Sequence, residues 1–203
     1  GTPLHVAVIN NNKKSIRKLG RLGANIDLLD NSGFSPLHVS VIHNYMDCTR
    51  ELVSLSADID IFDKRGVTPI HIAVADGNID CIRLLNDLGA NLNITDMNGH
   101  ASIHIAAEHG NIDCIQLLND LGADIDIRDM NGRTPMHFAV AHGNKDCIRL
   151  LNYLGADLNI RDMNGHASIH TAVAHVHVDC IQLLNDLGAD IDKCVPNGGA
   201  PIH

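Results

Sequence analysis

The chain has 203 residues, no tryptophan, 2% aromatic residues and a formal net charge of −9. Fifteen bases against 24 acids exclude the basic track that nucleic-acid phosphates require. No apolar run approaches the ~18 residues of a membrane-crossing helix, so neither nucleic acid nor membrane insertion is expected.

The first predicted helical stretch is unlike the rest. Residues 1–24 hold Lys13, Lys14, Arg17, Lys18 and Arg21 and no acid, leaving ten bases against 24 acids in the remainder. A helix with solvated faces is the first reading of this cluster, and a dock for an acidic partner the second. No signal peptide precedes Gly1, and the absence of an initiator methionine leads us to expect a longer natural chain.

Along the whole chain a short phrase recurs at one fixed interval. It is Thr2-Pro3-Leu4-His5, then Ser35-Pro36-Leu37-His38, Thr68-Pro69-Ile70-His71 and Thr134-Pro135-Met136-His137. Degraded copies are Ala101-Ser102-Ile103-His104 and Ala167-Ser168-Ile169-His170, and the chain stops at Ala200-Pro201-Ile202-His203. A constant spacing between successive histidines, in the range of repeat architectures, implies stacked units that each pack on their neighbours. Within residues 96–128, Asp96-Met97-Asn98-Gly99 is a turn and Ile103, Ala106 and Ala107 mark a short helix ended by Gly110. Asp113 opens a longer helix whose apolar face is Cys114, Ile115, Leu117, Leu118 and Leu121, stopped by Gly122. Asp124-Ile125-Asp126-Ile127 then returns as an extended segment. In the intact copies the Ser or Thr hydroxyl suits a helix N-cap and proline the first helical position.

These phrases, with the paired leucines Leu84-Leu85, Leu117-Leu118, Leu150-Leu151 and Leu183-Leu184 and the following Gly-Ala pairs, closely resemble the ankyrin repeat from Thr2 to His203. The resemblance implies an all-α ankyrin-repeat solenoid of stacked antiparallel helix pairs with projecting β-hairpin loops. We expect one array over 1–203, divided at 1–29, 30–62, 63–95, 96–128, 129–161 and 162–194, with 195–203 beginning a seventh repeat. The phrase histidines are then structural, tying neighbouring backbones together with the capping Thr.

Two features depart from uniformity. Thr-Pro and Ala-Ser copies alternate, as do Arg83, Gln116, Arg149 and Gln182, which points to duplication of residues 63–128 into 129–194. Val176 stands where Gly77, Gly110 and Gly143 stand elsewhere, in a turn that a β-branched residue resists. The Ala-Ser copies lose the cap hydroxyl, unless Ser102 and Ser168 cap one position later. The sixth repeat is accordingly expected to be the weakest internal point. Both ends are expected to be cut from a longer array, since neither shows a polar capping repeat.

Reactive groups follow the same ladders. Cys48, Cys81, Cys114, Cys147 and Cys180 recur at one repeat position, too far apart for disulfides if helices pack ~8–10 Å apart, and are read as buried thiols of a reducing compartment. Cys194 alone lies off the ladder. A second histidine ladder, His43, His109, His142 and His175, with Asn10 and Asp76 completing it, falls at first-helix ends. One-repeat spacing prevents its rungs from sharing a metal, and His175 with His177 offers at most a weak two-ligand site. The pairs Asp58/Asp60, Asp124/Asp126 and Asp190/Asp192 are read as a solvated edge rather than a calcium or glycosidase site. No Walker loop, zinc-type cysteine spacing or distinct triad is present, so no catalysis, cofactor, metal or small-molecule substrate is expected. Asn93-Ile94-Thr95 matches a glycosylation acceptor, which reduced cysteines argue against. Resemblance implies a different modification, β-hydroxylation of Asn93 and Asn159 by an asparaginyl hydroxylase, with Leu85 and Leu151 upstream in the matching positions.

The expected function is non-catalytic, cytoplasmic recognition of a protein partner through a concave face and the hairpin tips. The candidate contacts at the tips are Lys64, Arg65, Met97, Asn98, Met130, Asn131, Met163 and Asn164. Phe34, His100, Arg133 and His166 stand beside them, and Phe62, Arg128 and Arg161 at the hairpin base. At first-helix ends the candidates are His43, Asp76, Glu108, His109, His142 and His175. Exposed methionine suits adaptable apolar contact. The alternative is a targeting segment of a larger enzyme, channel or ubiquitin-ligase adaptor whose active domain lies elsewhere.

Overall fold

A computed structural model describes residues 1–191. The seventh phrase, Asp192, Cys194 and His203 lie outside the described residues. Among those described, twelve helices run in pairs, each a short helix followed by one of nine residues. In chain order they are α1 Pro3–Ile9, α2 Lys13–Arg21, α3 Pro36–Ile42, α4 Met46–Ser54, α5 Pro69–Ala75, α6 Ile79–Asp87, α7 Ser102–His109, α8 Ile112–Asp120, α9 Pro135–Ala141, α10 Lys145–Tyr153, α11 Ser168–Ala174 and α12 Val178–Asp186. Among the described residues the connecting loops hold turns and isolated bridges but no extended strand. Each hairpin instead closes on single backbone pairs, such as Asp30 N–H to Phe34 O at 2.8 Å and Asp129 N–H to Arg133 O at 2.9 Å.

The chain divides into two compact units, Gly1–Met97 and the part beginning at Asn98. In the first, α1 packs on α2 and α3, α3 on α4 and α5, and α2 on α4. The second repeats this with α7, α9 and α11 in one layer and α8, α10 and α12 in the other. Within each unit the interior is a ladder of equivalent positions, Leu4, Leu37 and Ile70 in the first and Ile103, Met136 and Ile169 in the second, all buried. The five ladder cysteines are free and buried. Burial pushes their thiols up, to about 11 at Cys81 and Cys147, which leaves them protonated and unreactive.

The phrase histidine explains how the pairs are joined. In α9 the Nδ1 of His137 accepts the Thr134 backbone N–H at 3.1 Å and faces the Thr134 hydroxyl at 3.0 Å. That nitrogen must therefore be bare, so Nε2 carries the hydrogen and donates to the His166 carbonyl at 3.1 Å. His5, His38 and His104 do the same toward Phe34, Val67 and Arg133. A neutral ring is required, and burial holds His38 and His137 below the ordinary imidazole range and His104 down to about 4.

The Ala-Ser copies keep part of this arrangement. His104 and His170 still accept the Ala101 and Ala167 N–H groups at 3.0 and 3.2 Å, without a hydroxyl beside them. Ser168 does not take over as a cap; its hydroxyl donates backwards to the Leu158 carbonyl at 2.9 Å. Val176 is in the left-handed region at φ +58°, beside Asn11 at +49° and Asn44 at +53° in the equivalent turns. Of these three, the valine is the residue whose branch resists that conformation.

To two readings of surface charge the structure adds partners. The carboxylates of Asp27, Asp60 and Asp126 are more than solvated: each accepts a backbone N–H from the next copy of the repeat, those of Asp58, Asn91 and Asp157, at 3.0–3.2 Å. Asn159 makes the same rung to Asp190 at 3.0 Å with an amide oxygen. In the basic helix, Arg17 grips the buried carboxylate of Glu51 through two bonds of 2.7 and 2.6 Å, and Lys13 lies 3.6 Å from Asp47. The hydrogen bond from Arg17 holds Glu51 below the usual carboxylate range. Both acidic partners lie on α4, one helix pair further along, beyond what a local charge pattern displays.

Candidate protein-interaction surface

Hairpin geometry is set by one aspartate per loop. Asp129 accepts the N–H groups of Asn131 and Arg133 at 2.9 and 2.7 Å, and Asp162 those of Asn164 and His166 at 2.9 and 2.8 Å. Asp30 and Asp63 hold their loops likewise. The tips are strung together by backbone: Met97 N–H donates to Arg65 O, Met130 N–H to Asn98 O and Met163 N–H to Asn131 O. Gly99 sits at φ +80°, and a Cβ there would lie 2.4 Å from the Met130 nitrogen, so both conformation and close approach require glycine.

In the unit Gly1–Met97 the candidates fall into distinct settings. Phe34 is half-buried and packs against the core, so it is less available than expected. Phe62 and Met97 are exposed. Lys64 donates to the Asn31 carbonyl at 3.2 Å, and Arg65 lies 3.4 Å from Asp63. His43 stacks on Tyr45 with ring centroids 5.4 Å apart, and Asp76 caps α5 with its side chain exposed.

In the second unit six candidates converge. His100, Glu108, Arg133, His142, His166 and His175 line one cleft of about 690 Å³, together with His137, Phe138, Ala141, Ile169, His170, Thr171, Val173, Ala174 and Ile191. Arg133 holds Asp129 with two bonds of 2.9 and 2.8 Å and lays its guanidinium 4.6 Å from the Phe138 ring centre. Burial pushes the Asp129 carboxyl up, but the Arg133 backbone and side-chain bonds outweigh it and hold it below the usual range. Phe138 also meets His100 and His104 edge-on at 5.1 and 5.0 Å. His142 and His109 turn Nδ1 back to the carbonyls of Phe138 and Ile105 at 3.0 and 2.9 Å, satisfying helix-end groups as Asn10 does at Val6.

The remaining candidates stay outside the cleft. Met130, Met163, Asn98 and Asn131 are exposed at the tips and His109 on α7. Arg128 donates to the Arg161 carbonyl, and Arg161 to Gly165 O at 2.6 Å. Phe138 was not anticipated as a lining residue. The available signal was size, since Val6, Val39, Ile72, Ile105 and Thr171 occupy the equivalent positions. His175 and His177 stack at 6.0 Å, but His177 already uses Nε2 on the Ala141 carbonyl at 3.0 Å. Among the described residues no group of three His, Cys, Asp or Glu is placed to hold a metal ion. No helix among them is long and apolar enough to cross a membrane.

Short-long helix pairs in two layers, joined through a phrase histidine, define a tandem-repeat interaction module. The chain belongs to the ankyrin-repeat family, whose model, described as ankyrin repeats (3 copies), matches residues 1–63, 55–129 and 103–194. The fold is similar to the ankyrin repeat domain of Bcl-3, a member of the IkappaB protein family, at 31% identity and TM-score 0.85 over 94% of this chain and 87% of that one. It is also similar to EF0377, an ankyrin repeat protein, at 26% identity and TM-score 0.78 over 90% and 96% of the two chains. The human ASB11 ankyrin repeat domain matches at 25% identity and TM-score 0.78 over 97% and 88%. No curated protein matches the sequence significantly. The ankyrin repeat is a general protein–protein interaction fold.

Proposed function

We propose that this chain is a non-catalytic recognition module that binds a protein partner through the first-helix ends and the hairpin side of the second unit. The convergence of His100, Glu108, Arg133, His142, His166 and His175 on one cleft supports this reading. Glu108 replaces the alanine or isoleucine of the other copies, and Arg133 stands where Phe34, Val67, His100 and His166 stand elsewhere, while the apolar ladder beneath them is copied. The buried, protonated cysteines favour a reducing, cytoplasmic setting, and the acidic charge disfavours nucleic acid.

We read the helix pairs as six repeats of one array over 1–203, with a seventh beginning at 195. Bcl-3 and ASB11 are each described through an ankyrin repeat domain, which favours the companion reading that this array targets a larger protein. Asn93 and Asn159 are proposed hydroxylation sites, tested by a +16 mass shift on the intact protein from host cells.

The decisive experiment is capture from host cytosol by the wild type and by a variant with His100, Glu108, Arg133, His142, His166 and His175 changed to Ala, both folded by circular dichroism. A partner retained by the wild type alone supports the assigned surface. Equal capture by both proteins counts against it and moves the site to the tips or the basic first repeat.

A further inference from the structure

The cleft of the second unit sets two acceptors side by side, neither able to donate to the other. Glu108 lies in the last turn of α7, and His142 caps the end of α9. His142 Nδ1 is 3.0 Å from the Phe138 carbonyl, which can only accept, so Nδ1 carries the hydrogen. In the neutral ring Nε2 is then a bare lone pair. It stands 3.8 Å from Glu108 Oε1, beyond hydrogen-bond range. This pairing occurs once in the array. The corresponding positions hold Ile9 and His43, Ile42 and Asp76, Ala75 and His109, and Ala141 and His175, with no carboxylate at the first place.

Charge around the pair is negative. Among the described residues Glu108 is the carboxylate that lines the cleft, while the lining cation, Arg133, is committed to Asp129 by contacts of 2.9 and 2.8 Å. Asp162 stands behind the same wall, holding the Asn164 and His166 N–H groups. With neutral imidazoles these four groups sum to minus two, in a chain of net charge −9. The Glu108 and His142 side chains are 41% and 46% exposed, so a ligand can reach both. Ala141, Val173 and Ala174 line the same cleft with apolar surface.

A single nitrogen placed ~2.8 Å from each acceptor can donate to both. An ammonium does so from one atom, whereas the guanidinium fork is shaped for the two oxygens of one carboxylate. We propose that this cleft receives a lysine side chain of the protein partner, whose ammonium donates to Glu108 and to His142 Nε2 at once. The inference rests on the recognition reading above and deepens it with the partner's chemistry. The lysine stem covers the apolar surface beside the pair, and its charge offsets the local excess of carboxylate. Charge alone would admit any cation; the bridging geometry selects one with several N–H donors on a single atom.

The test uses the whole chain, isotope-labelled, at pH 7.5 in 0.15 M salt, with binding followed by NMR shifts. Four capped pentapeptides, Ala-Val-X-Val-Ala, carry lysine, trimethyllysine, arginine or glutamine at X. The lysine peptide should bind with shifts centred on Glu108, Ala141, His142 and Val173. Trimethyllysine keeps the charge and loses every N–H, and should bind about tenfold more weakly, as should glutamine. Arginine and free butylammonium should each be weaker than the lysine peptide by about threefold or more. Glu108→Gln should weaken the lysine peptide about tenfold, and His142→Phe, which keeps a ring and removes the acceptor, about fivefold. Equal affinity of the lysine peptide with any of the other three peptides or with butylammonium, shifts away from the cleft, or no binding at all would overturn the proposal. A cytosolic partner held equally by the wild type and Glu108→Gln, but lost from the six-residue alanine variant, would leave the recognition reading standing and remove only this inference.

Discussion

Residues 129–161 and 162–191 are two copies of one repeat built to different standards. The first begins α9 with Thr134 and Pro135, where the threonine hydroxyl stands 3.0 Å from His137 Nδ1. The second begins α11 with Ala167 and Ser168, and no hydroxyl stands beside His170. The first turns at Gly143, φ +67°, and the second at Val176, φ +58°. Asn144 donates to both the Ala107 and Glu108 carbonyls at 2.9 Å, whereas His177 donates once, to Ala141. The long helices α10 and α12 share Cys, Ile, Leu and Leu at equivalent positions. The difference teaches that in a copied array local strength is decided by a few capping and turning atoms, while the apolar ladder is held constant.

Amide exchange is the broadest test of this contrast. A left-handed valine costs ~1–2 kcal/mol and a missing cap ~1 kcal/mol, so α11 amides should exchange roughly 50-fold faster than those of α9. The copy over 63–95, with Thr68, Pro69 and Gly77, should resemble α9. Equal protection in α9 and α11 would break the comparison.

Acid should weaken the other Ala-Ser copy, over 96–128, as well. His104 is neutral when folded and held near 4, below the ordinary imidazole value of 6.5. Its contribution is therefore complete above about pH 6.5 and is lost as pH falls toward 4, by an amount on the order of 3 kcal/mol. Urea midpoints measured from pH 7 to 4.5 should fall, and His104→Gln should flatten that dependence while lowering the value at pH 7.

Exchanging the turns sharpens the contrast further. Gly143→Val should cost about 2 kcal/mol and Val176→Gly return about 1 kcal/mol, less than the full strain because glycine loses more entropy on folding. The Gly143 site has room, with the nearest atom to a Cβ at 3.4 Å, so the cost is one of conformation. Smallest is the cap: Ala167→Thr should raise stability by ~1 kcal/mol in denaturant melts. No change there would show that the bond from Ala167 N–H to His170 suffices.

What the chain disclosed in sequence was whatever is local. The Thr-Pro-x-His phrase encodes a cap, a proline and a ring side by side, so its geometry was open to inspection. Val176 betrayed its strain because glycine recurs at its position. Asp60 and Asp126 were underestimated because their acceptor roles involve N–H groups in the following copy of the repeat. Arg17 is exposed as expected, but its partner Glu51 was missed for the same reason. The cleft was legible in part: the six polar candidates came from repeat position, but their convergence depends on a phenylalanine at 138 and on side chains from three hairpins.

The backbone strings between successive tips carry a different consequence. Met130 N–H meets Asn98 O and Met163 N–H meets Asn131 O, so the couplers are atoms that every residue except proline owns. Because the observed links recur at fixed offsets, removing or inserting one whole repeat at a hairpin leaves each donor facing an equivalent acceptor. Recombination between copies therefore changes the length of such a protein without inventing any new joint, and leaves tip side chains free to diversify afterwards.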